Sequence, residues 1–161
     1  MALNFVIDTD YFETNTVIDT DFDIKKAYNH LIDAHEVQLY ELLGKDLYDR
    51  LQTILDDIAN ASAIELELIE FLKPFMVKAT ELNLTPFLNT PITAKGSMER
   101  SGDYTKRSAD ETTARILDNI RAKEEFYAEK CREFLKCNSK YFPEYQCNGS
   151  GNDFFSPIHF F

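Results

Sequence analysis

The chain has 161 residues, enough for one domain with a real core and too few for two. Apolar residues make up 44% and charged residues 28%, which is ordinary globular composition, and no run is apolar for long enough to span a membrane. The formal charge of −11 argues against a free-standing nucleic-acid binder, which needs a basic face to displace counterions, but is compatible with a wall past which nucleic acid slides.

The start, MALNFVIDTD, lacks the basic head and apolar run of a secretory signal, so a cytoplasmic product is expected. Residues 1–22 read as an extended arm with short strand-like pieces. V-I-D-T-D occurs there twice, at Val6–Asp10 and Val17–Asp21. As an EF-hand loop the second copy would place Asp19, Asp21 and Asp23 correctly. It then puts Ile24 where the turn needs Gly and His30 where a bidentate Glu must close the site. In the first copy Phe12 takes the third ligand position. A looser magnesium pair among Asp8, Asp10, Asp19 and Asp21 is a pattern that acidic chains produce by chance, so no metal is assigned. Val and Ile favour extended backbone, and Thr and Asp accept bonds from the free N–H groups of a following turn. The repeat therefore reads as an arm and a helix cap.

A first helix is predicted from about Asp23 to Leu43, with Ile24, Tyr28, Leu31, His35, Leu39 and Leu42 on one face and Gly44 at its end. A shorter helix comes next, carrying Leu47, Leu51, Ile54, Leu55 and Ile58. Ser62 and Glu65 have capping-box spacing before the run IELELIEFL. Pro74 inside that run should end or kink the helix, and Pro86 and Pro91 bracket FLNT. Residues 89–107 show no periodicity and are predicted as a long loop, a length usually tied to function or to a partner. The mildly basic stretch Lys95–Arg107 within it reads as solvated. Ser108 and Glu111 form a second capping box, opening a helix from about Ala109 to Lys136. Its buried stripe is Ile116, Ile120, Phe126 or Tyr127, Cys131, Phe134 and Leu135. The predicted class is all-α: four or five helices in a bundle with the long C-terminal helix as its spine. Three units are expected: the arm 1–22, a helical domain 23–145, and a linker with an aromatic tail 146–161.

No catalytic motif emerges. Cys131, Cys137 and Cys147 are odd in number and contain no C-x-x-C; Cys131 lies on the apolar face as a buried thiol. His30 and His35 are five apart and face different ways, no H-x-x-x-H or E-x-x-H pair exists, and His35 reads as a hydrogen-bonded core residue. No catalytic, cofactor-binding or metal residue is assigned. The tail FFSPIHFF sets four phenylalanines beyond the linker QCNGSGND. Leaving them in water would forfeit on the order of 1.5–3 kcal/mol each. Either the tail folds back on its own body or it docks on a neighbour. The candidate docking residues are Val6, Ile7, Phe12, Val17 and Ile18 in the arm, and Phe154, Phe155, Ile158, Phe160 and Phe161 in the tail.

LLGKDLYDRL (Leu42–Leu51), PFLNTPITAKG (Pro86–Gly96) and EEFYAEKCREFLKCNSKYFPEY (Glu124–Tyr145), in that order, resemble the head–tail connector proteins of tailed bacteriophages, especially those of Bacteroidetes and the crAss-like group. The resemblance covers about Ile24 to Tyr145. It implies an α-helical adaptor, no catalysis and no cofactor. It also implies a homo-oligomeric ring, dodecameric, between the portal protein and the next tail or ring protein. Such a ring would extend the channel for the genome DNA, in the neck of the virion, after assembly in the host cytoplasm, without a membrane. A small α-helical module that captures a protein partner through the aromatic tail is the alternative expectation.

Overall fold

A computed structural model describes residues 4–16, 24–88, 92–93, 96–97 and 106–145 of the chain. The fold is all-α. Helix α1 is Thr9–Asn15. Helix α2, Ile24–Asp33, continues without a break through a π-helical segment, Ala34–Leu39, into α3, Tyr40–Leu43. Then come α4, Lys45–Asp56, a 3-10 turn at Ile58–Asn60, α5, Ala63–Leu88, and α6, Lys106–Cys137. Between α5 and α6, Ile92–Thr93 (β1) pairs antiparallel with Gly96–Ser97 (β2).

The rod from α2 to α3 keeps Leu31, His35, Leu39 and Leu42 buried, as its spacing predicts. Gly44 ends it. Its N–H donates to the Tyr40 carbonyl at 2.9 Å, and its own carbonyl accepts from Tyr48 N–H at 3.0 Å, so one residue closes a helix and opens the next. Its φ of 74° with ψ of 164° lies in a region that essentially only glycine occupies.

The centre of the bundle is α5, not the C-terminal helix. Leu68, Ile69, Leu72, Phe75, Met76, Val77, Ala79, Thr80, Glu81 and Leu84 are each 3% exposed or less. A helix apolar around most of its girth must be enclosed, and α5 packs on α6, α2 and the π segment. Its buried hydroxyls bond backwards, Thr80 Oγ1 to the Met76 carbonyl at 2.8 Å and Thr85 Oγ1 to the Glu81 carbonyl at 2.7 Å. Pro74, expected to end or kink this helix, sits inside an unbroken α5, and Pro86 sits in its last turns. Enclosure by neighbouring helices outweighs one missing N–H. Near that site the Cys131 thiol donates to the Phe71 carbonyl at 3.3 Å. Half of the expected capping box forms: Ser62 N–H and Oγ both donate to Glu65 Oε2, at 2.9 and 2.7 Å, while the Glu65 N–H donates to the Ser62 carbonyl at 3.1 Å.

Other expectations need correction. Within the arm expected over residues 1–22, Thr9–Asn15 is helical rather than extended, with Asp8 Oδ1 accepting from Tyr11 N–H at 2.7 Å as its cap. The first V-I-D-T-D thus caps a helix directly, whereas the second lies outside the described residues. Helix α6 begins at Lys106, which places Ser108 inside it rather than at its cap and takes Lys106 and Arg107 out of the predicted loop. On α6, Tyr127 faces inward while Phe126 and Ile116 are exposed. Tyr28 and Ile58 are likewise exposed, Ile58 because the chain leaves the α-helix at Asp56 and carries it on the 3-10 turn.

Candidate functional site

The N-terminal segment is stitched to the body along its length. Asn4 N–H donates to Gln52 Oε1 at 3.4 Å, and its amide bonds Asp56. The Phe5 ring meets Tyr28 and His35 edge-on, each at 5.6 Å between centroids. Thr16 Oγ1 donates to Glu81 at 3.0 Å. Glu81 is buried completely and also accepts from Lys78 Nζ at 2.8 Å. Of the docking residues expected in the arm, Val6, Ile7 and Phe12 are in this chain's own core. Their apolar surface is consumed internally, because a seven-residue helix without tertiary packing would not persist. Val17, Ile18, Phe154, Phe155, Ile158, Phe160 and Phe161 lie outside the described residues.

His35 is 0% exposed. Its Nδ1 stands 3.1 Å from the Tyr48 hydroxyl, and Nε2 has no hydrogen-bond partner among the described residues. Burial pushes its pKa down to about 4, so the ring is neutral at pH 7. The unfolded ring titrates near 6.5 and takes up a proton that the folded ring refuses. This group's contribution to stability is therefore complete above about pH 6.5 and falls as the pH drops to about 4, by up to ~3 kcal/mol. Urea unfolding of the wild type and of His35→Gln at pH 7.5 and 4.5 should show a smaller acid loss in the variant; parallel losses would contradict the assignment.

At one end of the bundle Arg50 gathers three partners. Nη2 donates to Glu65 Oε1 at 2.8 Å, and Nη1 donates to Glu144 Oε2 at 3.0 Å and to the Tyr141 carbonyl at 2.8 Å. Its guanidinium lies over the Phe142 ring, 5.3 Å from the centroid. The Ser62 hydroxyl, with Arg50 next, holds the Glu65 carboxyl down at about 2. Phe142 is 0% exposed, so the turn after α6 is pinned to α4 and α5. Local sequence pattern does not single out Arg50. The available signal is its place beside Leu47, Leu51 and Ile54, a charge set into an apolar stripe.

Among the described residues, two of the surface clefts bear on the site. The first, of about 250 Å³, is walled by Phe5, Val6, Ile7, Leu55, Ile58, Leu66 and Ile69, with Asp8, Tyr11, Glu70 and Lys73 at its polar edge. The second, of about 280 Å³, is a shallow recess between α5 and α6 lined by Glu70, Phe71, Pro74, Tyr127 and Lys130. Among the described residues no group of three or more His, Cys, Asp or Glu is placed to hold a metal ion. Asp8 serves as a cap and Asp10 is exposed, while Asp19 and Asp21 lie outside the described residues. Cys131 is buried and its thiol pushed up to about 12 by burial, which makes it a packing residue; Cys137 is a free, exposed thiol. No described helix is long and apolar enough to cross a membrane.

A family of unknown function, DUF6712, matches residues 39–155, which include α3, α4, α5, α6 and the Arg50 cluster. The chain belongs to this family. No curated protein and no solved structure matches the chain. Within the DUF6712 span lie all three of the connector-like segments, Leu42–Leu51, Pro86–Gly96 and Glu124–Tyr145.

Proposed function

We propose that this DUF6712 protein is a structural subunit, not an enzyme: one segment of a head–tail connector ring in a tailed-bacteriophage virion, between the portal and the next tail protein. The observation that carries the reading is the Arg50 cluster. Arg50, in the first resembling segment, holds Glu144 and the Tyr141 carbonyl, in the third. Residues of the first and third resembling segments thus serve to brace a helical body.

Two further features support it. Val37 on the π segment, Phe87 on α5, and Ile116 and Phe126 on α6 are about half exposed, apolar area suited to neighbours on more than one side. Head-to-tail contacts repeated by rotation close a ring. The net charge of −11 would keep DNA phosphates from adhering to such a ring as the genome passes. No cofactor enters this reading. The subunit alone is expected to stay monomeric, with the portal as template for closure. Electron microscopy of the protein mixed with its portal should show an added ring of density below the portal. An unchanged portal profile without co-sedimentation would overturn the proposal.

A further inference from the structure

The cleft walled by α1, α4 and α5 is an apolar feature that the body leaves unfilled beside its own N-terminal segment. Its volume of about 250 Å³ exceeds the roughly 150 Å³ of a dry cavity that admits benzene, so it has room for a phenyl ring and part of another. Its rim is apolar and open: Ile58 is 51% exposed and Leu66 41%.

We propose that this cleft is the docking site for the chain's own C-terminal segment, Phe154–Phe161. The proposal is independent of the connector reading. It rests on where the described chain stops and on the length of chain beyond that point. Tyr145 is packed against the core, and its N–H donates to the Phe142 carbonyl at 3.1 Å. Its neighbour Glu144 shares the Arg50 guanidinium with Glu65, and Glu65 adjoins Leu66 on the cleft rim. The tail therefore leaves the body from a turn that Arg50 ties to the start of α5, the helix that also supplies Leu66, Ile69 and Glu70 to the cleft.

Residues 146–153, QCNGSGND, carry no large apolar side chain. Eight residues span up to about 28 Å. A tether this short gives the tail a local concentration in the millimolar range, which favours its own cleft over that of another copy. The only ionisable side chain within Phe154–Phe161 is His159, and the cleft edge presents Asp8 together with Glu70 and Lys73, which pair with each other.

The chain contains no tryptophan, so Phe160→Trp in the full-length protein supplies a single reporter. Its emission should be blue-shifted, as for a buried indole, at every protein concentration. Adding Ile58→Asp and Leu66→Asp, both at exposed positions, should move the emission to that of solvated tryptophan and raise acrylamide quenching about fivefold. Val37→Asp, on the π segment, should leave it unchanged. Solvated emission from Phe160→Trp alone overturns the proposal. So does blue emission that survives both cleft substitutions, or that appears only as concentration rises, which would assign the tail to a second copy.

Discussion

Phe12→Ala should destabilise the fold by about 3–5 kcal/mol, the usual loss for a large aromatic removed from a closed core. Phe12 is 1% exposed and belongs to the same core cluster as Leu68 and Leu72 of α5. The effect should appear as a fall in thermal midpoint on the order of 10 °C by far-UV circular dichroism. Phe126→Ala provides the comparison: that ring is 55% exposed, and its removal should change stability by no more than ~0.5 kcal/mol. A loss below about 1 kcal/mol for Phe12→Ala would mean that the N-terminal segment merely lies against the body. A large loss would make it part of the cooperative unit, with a corollary for assembly: α1 would then not be free to reach a neighbour unless part of the core opened.

Arg50→Met should cost about 2 kcal/mol, a figure between the values for exposed pairs and for buried ones. Methionine keeps much of the aliphatic stem but removes the fork, leaving Glu65 and Glu144 without their shared cation. The intermediate setting comes from side-chain exposures of 30% for Arg50, 15% for Glu65 and 33% for Glu144, where solvent screens part of the attraction.

The acid limb should change as well. A carboxyl held at about 2, below its ordinary 4.5, contributes stability that is complete above about pH 4.5 and is lost as the pH falls toward 2. Arg50→Met removes part of that depression while the Ser62 bonds remain. The variant should therefore lose less stability than the wild type between pH 4.5 and 2. Urea midpoints at pH 7, 4.5 and 3 test both statements, and an unchanged midpoint at pH 7 would show that the cluster is ornamental to stability. The C-terminal turn should also loosen, since the Arg50 guanidinium ties both Tyr141 and Glu144 to α4; amide exchange across Asn138–Tyr145 should accelerate in the variant.

Much of the helical framework was legible in local pattern. The run from Leu31 to Leu42, the Gly44 stop, the Ser62–Glu65 capping box and the Cys131 to Leu135 stripe all depend on residues within a turn or two of each other. Periodicity and capping report such relations directly. The misplacements share the opposite property. Val6, Ile7 and Phe12 read as arm because α1 is too short to announce itself by periodicity. They are buried only because α2, α4 and α5 supply the other walls. Pro74 read as a break because its local penalty is real, and it is outweighed by packing on both sides of α5.

The candidate surfaces were less legible still. Arg50 meets Glu144 across 94 positions, Glu81 meets Thr16 across 65, and the apolar cleft combines residues from α1, α4, the 3-10 turn and α5. Composition, spacing and charge by themselves determined an acidic, all-α chain with its helix stops and most of its inward faces. These are properties of neighbours along the chain. Tertiary structure alone decided that α5 is the centre, that Val6, Ile7 and Phe12 belong to the core, and that one guanidinium fastens the last described turn. Those outcomes depend on which distant faces exclude water together, a quantity that exists only once the helices have packed.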